Sequence, residues 1–88
     1  MLTKTVTILN KRGLHARASA KFVKLAETFE AEITVRKDDT AVSGCSIMGL
    51  MMLAAAPGCE VELTAIGPAA DKAMSALEDL VANKFDED

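Results

Sequence analysis

Apolar and polar residues along the chain fall into seven short periodic segments. Thr3 to Ile8 alternates with period two, which predicts a half-buried strand with Val6 and Ile8 inward, and Asn10 to Gly13 then interrupts it. From Ala16 to about Thr28 the positions Phe22, Val23, Leu25, Ala26 and Phe29 share one helix face, with Lys21 and Lys24 on the outer side. Glu32 to Arg36 alternates again. Lys37 to Thr40 reads as a tight turn into a weaker strand around Ala41 and Val42. Ser46 opens a second helical stretch to about Ala55, ended by Pro57-Gly58. Glu60 to Ile66 alternates with Val61, Leu63 and Ala65 inward. After Gly67-Pro68, the positions Ala70, Ala73, Met74, Leu77, Leu80 and Val81 predict a last amphipathic helix to about Lys84.

The order β-α-β-β-α-β-α, with half-buried strands and short connections, predicts an α/β (α+β) two-layer open-faced sandwich. In it, helices cover one face of a four-stranded antiparallel sheet. Length and composition narrow the function. The chain has 88 residues, half of them apolar but only three aromatic, and residues 1–88 read as a single domain without linker or repeat. A domain this small buries only about 60% of its unfolded surface, so a deep catalytic pocket is not expected and the protein is not expected to be an enzyme in its own right.

The net charge of −3 argues against a nucleic-acid partner, and no apolar run is long enough for membrane insertion. The N-terminus carries no signal region, which predicts a cytoplasmic protein. Its two cysteines, Cys45 and Cys59, are therefore expected to be reduced thiols. Charge is distributed unevenly: residues 1–26 hold six lysines and arginines and no acid, whereas residues 60–88 hold eight acids and two lysines.

Within the acid-free segment stands the single histidine, His15, at the start of the first predicted helix and two residues before Arg17. Free amides and the positive dipole end at a helix N-terminus attract phosphate. The same dipole disfavours a protonated ring, leaving the imidazole nucleophilic. Arg17 can offer a planar donor fork to phosphate oxygens. By position alone such a histidine could be a simple surface or capping residue; the basic context favours phosphate handling.

The second signal is the helix after Ser46, apolar nearly all round. If Leu50 and Leu53 face the sheet, Ile47, Met48, Met51 and Met52 are left outside as an adaptable docking patch. Ser46 itself fits an N-cap, and a phosphate added there would act on the same helix end. A soft-metal carrier built on Cys45, Cys59, His15 and the methionines is a weaker alternative, because two cysteines fourteen positions apart lack metal-site spacing. No metal or other cofactor is expected.

Gly13-Leu14-His15-Ala16-Arg17-Ala18-Ser19 together with Ser46-Ile47-Met48-Gly49 resembles the HPr family of phosphocarrier proteins. The resemblance extends over the whole chain, through the 31-residue interval from His15 to Ser46, the Pro57-Gly58 turn and the last helix. The Asn10-Lys11 lead-in and the Phe85-Asp86-Glu87-Asp88 tail are similar to the nitrogen-related branch. The Ser46 run is more like branches controlled by HPr kinase/phosphorylase.

What the resemblance implies is three helices on one face of the sheet and a monomeric carrier that works in the phosphoenolpyruvate-dependent phosphotransferase system. His15 would accept a phosphoryl group on Nδ1 from enzyme I and pass it to EIIA-type proteins of sugar uptake or nitrogen regulation. Arg17 would steady the group, with the backbone of Ala16 and Arg17 binding it. Ser46 would be a regulatory site. Ala20, Lys21, Lys24, Ile47, Met48, Met51 and Met52 would dock partners. A regulatory binding module with the same docking face but no transfer is the alternative. Ala18 stands where the family usually carries proline, and Cys45 where kinase-controlled members often carry a basic residue.

Overall fold

The computed structural model describes residues 1–87. Four strands, β1 (Leu2–Thr7), β2 (Glu32–Lys37), β3 (Thr40–Ser43) and β4 (Glu60–Ile66), form one sheet in the order β1-β4-β2-β3. All three pairings are antiparallel. Helices α1 (Ala16–Ala26), α2 (Ile47–Met52) and α3 (Ala70–Ala82) cover one face, and the other is open.

Register follows from the alternation. Val6 pairs with Val61 and Val35 with Leu63, which stacks the apolar side chains under the helices. Thr3, Thr64, Thr34 and Ser43 then line up across all four strands on the open face. A one-residue slip would exchange the two sets, so burial of one face specifies the pairing. Phe22, Leu50, Leu63, Ala73 and Leu77 meet in the core at almost no exposure, and each large apolar side chain buried there stabilises the fold by about 1.5–3 kcal/mol.

Three boundaries depart from the sequence expectation, the first for a local reason and the other two for tertiary ones. The first helix ends at Ala26 rather than about Thr28, because the Thr28 hydroxyl donates to the Leu25 carbonyl at 2.7 Å and diverts the chain. The second helix is six residues long, stopping at Met52 rather than running to about Ala55; Ala54 turns to φ 53°, which frees the Ala55 carbonyl to accept the Leu14 amide at 3.0 Å.

The third helix ends at Ala82, short of Lys84. Lys84, Phe85 and Asp86 all adopt positive φ in a 3-10 turn. That conformation is unfavourable for residues with a side chain. It is offset here because it buries the Phe85 ring completely and lets Lys21 Nζ donate to the Phe85 carbonyl at 2.6 Å. The expected tail is thus folded onto α1; its last residue, Asp88, lies outside the described residues.

Candidate functional site

The loop between β1 and α1 carries the site. Asn10 follows β1 in the loop and is fully buried; its side-chain amide donates to the Gly13 carbonyl at 2.8 Å, closing a compact turn. Gly13 sits at φ +62°, so close to the backbone of Ala55 and Ala56 that a Cβ there would overlap the Ala55 carbonyl oxygen. Leu14 anchors the loop in the core, and the Ser19 hydroxyl donates to the Leu14 carbonyl at 3.2 Å. The residue between this anchor and the helix is His15.

His15 is the N-cap of α1. Its Nδ1 accepts the backbone N–H of Arg17 at 3.1 Å, and its Nε2 lies 2.8 Å from Glu87 Oε2. With Nδ1 an acceptor and a carboxylate at Nε2, the network assigns the ring proton to Nε2 and the free lone pair to Nδ1. That lone pair faces the helix N-terminus, where the amides of the first turn have no intrahelical partner. The side chains of His15 and Glu87 are 16% and 11% exposed, so the ring is half-sheltered yet reachable by a partner protein. Arg17 follows on the outside of the first turn, and Ala16 is exposed beside it. Ala18 is completely buried in that turn.

Glu87 is held in turn by Asn10, whose amide also donates to Glu87 Oε1 at 3.1 Å. Partial burial by itself would raise the Glu87 carboxyl. The Asn10 hydrogen bond, the electrostatic pull and hydrogen bond of the His15 ring, and the charge of Lys21 outweigh it and hold the group below the ordinary carboxylate range. At neutral pH it is therefore an ionised acceptor. The sequence marks Asn10 and Glu87 only as parts of a lead-in and a tail, not as neighbours of His15. Asn10 with Gly13 three residues on is a turn signal that could have pointed to the first; nothing local could have placed a side chain 72 positions away against His15.

The other residues singled out from the sequence divide into two groups. Arg17, Ala20, Lys21 and Lys24 on α1 border a shallow hollow whose far wall is Ser46, Ile47 and Met48. Met51 and Met52 lie outside it on the exposed side of α2. Met48 and Met52 are 71% and 75% exposed, and Ile47 and Met51 are also open to solvent, while Leu50 and Leu53 are buried against the sheet. Lys21 has a structural tie as well, through Phe85. Ser46 is the N-cap of α2, its hydroxyl accepting the Gly49 amide at 3.0 Å. Cys45 and Cys59 are free thiols, and among the described residues no three His, Cys, Asp or Glu side chains come together as a metal set. Among the same residues no helix is long and apolar enough to cross a membrane.

An open sheet backed by helices, with one imidazole presented at a helix N-terminus beside a basic and apolar surface, defines a small protein whose one built site suits an anionic group. Comparison with known proteins gives that class its family. Residues 2–83 match the PTS-HPr family model, described as the PTS HPr component phosphorylation site. The phosphocarrier protein HPr of Neisseria meningitidis serogroup A is 52% identical over 87 residues, covering 99% of this chain and 98% of that one. The phosphocarrier protein NPr of Shewanella violacea is 45% identical over 98% of this chain and 94% of its own. The crystal structure of HPr-C-His from Thermoanaerobacter tengcongensis superposes with a TM-score of 0.96 at 44% identity, over 100% of this chain and 99% of that one. The chain belongs to the HPr family of phosphocarrier proteins, which act as carriers in the phosphotransferase system and not as catalysts in the usual sense.

Proposed function

We propose that His15 accepts a phosphoryl group on Nδ1 from phosphorylated enzyme I, with phosphoenolpyruvate as ultimate donor, and passes it to EIIA-type proteins. The observation that carries this reading is the direction of the Nδ1 lone pair: it faces the amide end of α1, with the opposite ring edge taken by Glu87. A phosphoryl group on Nδ1 would displace the Arg17 amide from the ring and receive that N–H, and the neighbouring Ala16 N–H, on its own oxygens. The exposed Arg17 guanidinium would add a bidentate contact. The chain works as one cytoplasmic carrier unit, monomeric and without a cofactor.

Incubation with phosphoenolpyruvate and a cognate enzyme I is expected to load one acid-labile phosphoryl group; a wild-type protein that stays unlabelled overturns the reading. Transfer from the loaded protein to a panel of EIIA proteins, sugar-type and nitrogen-type, identifies the branch. The regulatory alternative, a module that binds the same partners without transfer, requires partner binding with no label at all.

The hollow between α1 and α2 and the exposed methionines form the docking face. Lysines beside apolar, flexible side chains fit a partner surface that is apolar at its centre with acids around it. Met48→Asp removes one anchor and adds a repelling charge. Phosphorylation by enzyme I is expected to lose about 10- to 30-fold in kcat/KM, the range of a single hot-spot residue. The unfolding free energy should change by no more than about 0.5 kcal/mol, because the side chain is exposed.

Ser46 is the regulatory position within that face, the substrate of an HPr kinase/phosphorylase. A phosphate there would put negative charge among the lysines that meet the partner. Ser46→Asp, which keeps an N-cap acceptor, is expected to slow phosphorylation of His15 about tenfold, by charge repulsion at the interface. Ser46→Ala should lose about 1 kcal/mol of stability with the cap and leave transfer rates unchanged. Equal rates for wild type and Ser46→Asp would leave the residue a cap only.

A further inference from the structure

We infer that Glu87 is a positioning residue for phosphoryl transfer: its carboxylate holds the Nε2–H edge of the His15 ring and balances the positive charge the ring gains while phosphorus is bonded to Nδ1. The inference rests on the reading of His15 as phosphoryl acceptor.

The geometry is specific. One carboxylate oxygen of Glu87 meets His15 Nε2 at 2.8 Å, and the other is fixed by the amide of the fully buried Asn10 at 3.1 Å. The chain that delivers Glu87 is pinned just before it by the buried Phe85 ring and by the Lys21 bond to the Phe85 carbonyl. Three consecutive residues, Lys84 to Asp86, take up left-handed backbone to reach this position. The same turn that buries Phe85 thereby sets the Glu87 carboxylate beside the ring.

The chemistry gives the contact its use. In the loading step the Nδ1 lone pair forms the new N–P bond while the bond from phosphorus to the donor group on enzyme I breaks, its electron pair returning to the donor. The proton on Nε2 stays where it is, so the ring becomes formally cationic. In onward transfer the N–P bond breaks, the pair returns to Nδ1, and the ring is neutral again. A carboxylate at Nε2 stabilises the cationic form and needs no proton transfer in either direction, as in the aspartate–histidine pairs of hydrolases. The phosphoryl group and the carboxylate stand at opposite edges of the ring, so their charges are separated by its width.

A purely geometric contribution would alter rates in both directions alike, whereas balancing the ring charge alters the equilibrium. The test is the ratio of phosphorylated to free protein at a fixed ratio of phosphoenolpyruvate to pyruvate with enzyme I present. Glu87→Gln keeps the length of the side chain and an oxygen that can accept from Nε2–H, but removes the charge. Its ratio is expected to fall about tenfold, the size of one charge-assisted hydrogen bond in a half-sheltered setting. Glu87→Ala should fall at least as far, and Asp86→Asn, which removes the same charge one position earlier, should stay within about twofold of wild type. Backbone amide spectra of residues 10–17 and Phe85 report whether each variant keeps the fold. A Glu87→Gln ratio within twofold of wild type overturns the inference, even if the rate has dropped. A wild-type protein that accepts no label overturns the phosphocarrier reading and this one with it.

Discussion

Replacing His15 with alanine is expected to abolish acid-labile phosphoryl incorporation while leaving enzyme I binding within about twofold. The ring is the single histidine of the chain and lies at the edge of the proposed docking face, whose exposed side chains include Lys24, Met48 and Met52. Loss of its lone pair removes the nucleophile outright; no neighbouring group can substitute, because the free thiols of Cys45 and Cys59 are not at the start of α1. Alanine also removes the N-cap acceptor for the Arg17 amide, which costs about 1 kcal/mol of stability. His15→Asn separates the two effects, since asparagine caps well but carries no phosphoryl group in the relay. Both variants should be unlabelled, and only the alanine variant should melt lower. Label on either one, measured by acid-quench against wild type, would place the acceptor elsewhere. Loss of partner binding in both would mean that His15 serves docking.

Gly13→Ala should produce the largest loss of stability among single substitutions around the site. The residue holds φ +62° and packs against the Ala55 carbonyl, the same oxygen that accepts the Leu14 amide. Alanine there pays left-handed backbone strain of about 1–2 kcal/mol. Its Cβ also forces the loop away from Ala55, which breaks the Leu14 bond and pulls a buried leucine outward. The sum is about 3 kcal/mol or more. For a domain of this size that corresponds to a fall in Tm of roughly 12–24 °C. Because the displaced segment carries His15, transfer should drop even below the melting range. An unchanged Tm would show that the contact between this loop and residues 55–56 contributes nothing to holding the site.

How far the sequence alone carries depends on the range of the interactions concerned. β4 is found at Glu60–Ile66 as its alternation predicts, because a strand with one buried face writes period two into its own residues. Leu50 and Leu53 face the sheet and the methionines face solvent for a related reason: a helix six residues long can turn only one stripe inward. The same run misleads at its end. Leu53-Ala54-Ala55-Ala56 has good helix propensity, yet the chain leaves the helix at Met52 so that Ala55 can hold the His15 loop, a demand made by residues forty positions earlier.

The placement of His15 and Arg17 at the start of α1 is legible because the features that mark it, a helix start and a cluster of bases without acids, lie within a few residues of one another. Local sequence determined the order of elements, the face each one buries, and the position of the one imidazole at a helix N-terminus. Tertiary structure alone decided which edge of that ring is free. The tail brings Glu87 back across 72 residues onto Nε2, and Asn10 reaches across 77 to hold it there. Periodicity records only what a residue's own element buries. A contact between side chains so far apart in sequence exists only once the sheet has paired its first strand with its last and Phe85 has closed over the core.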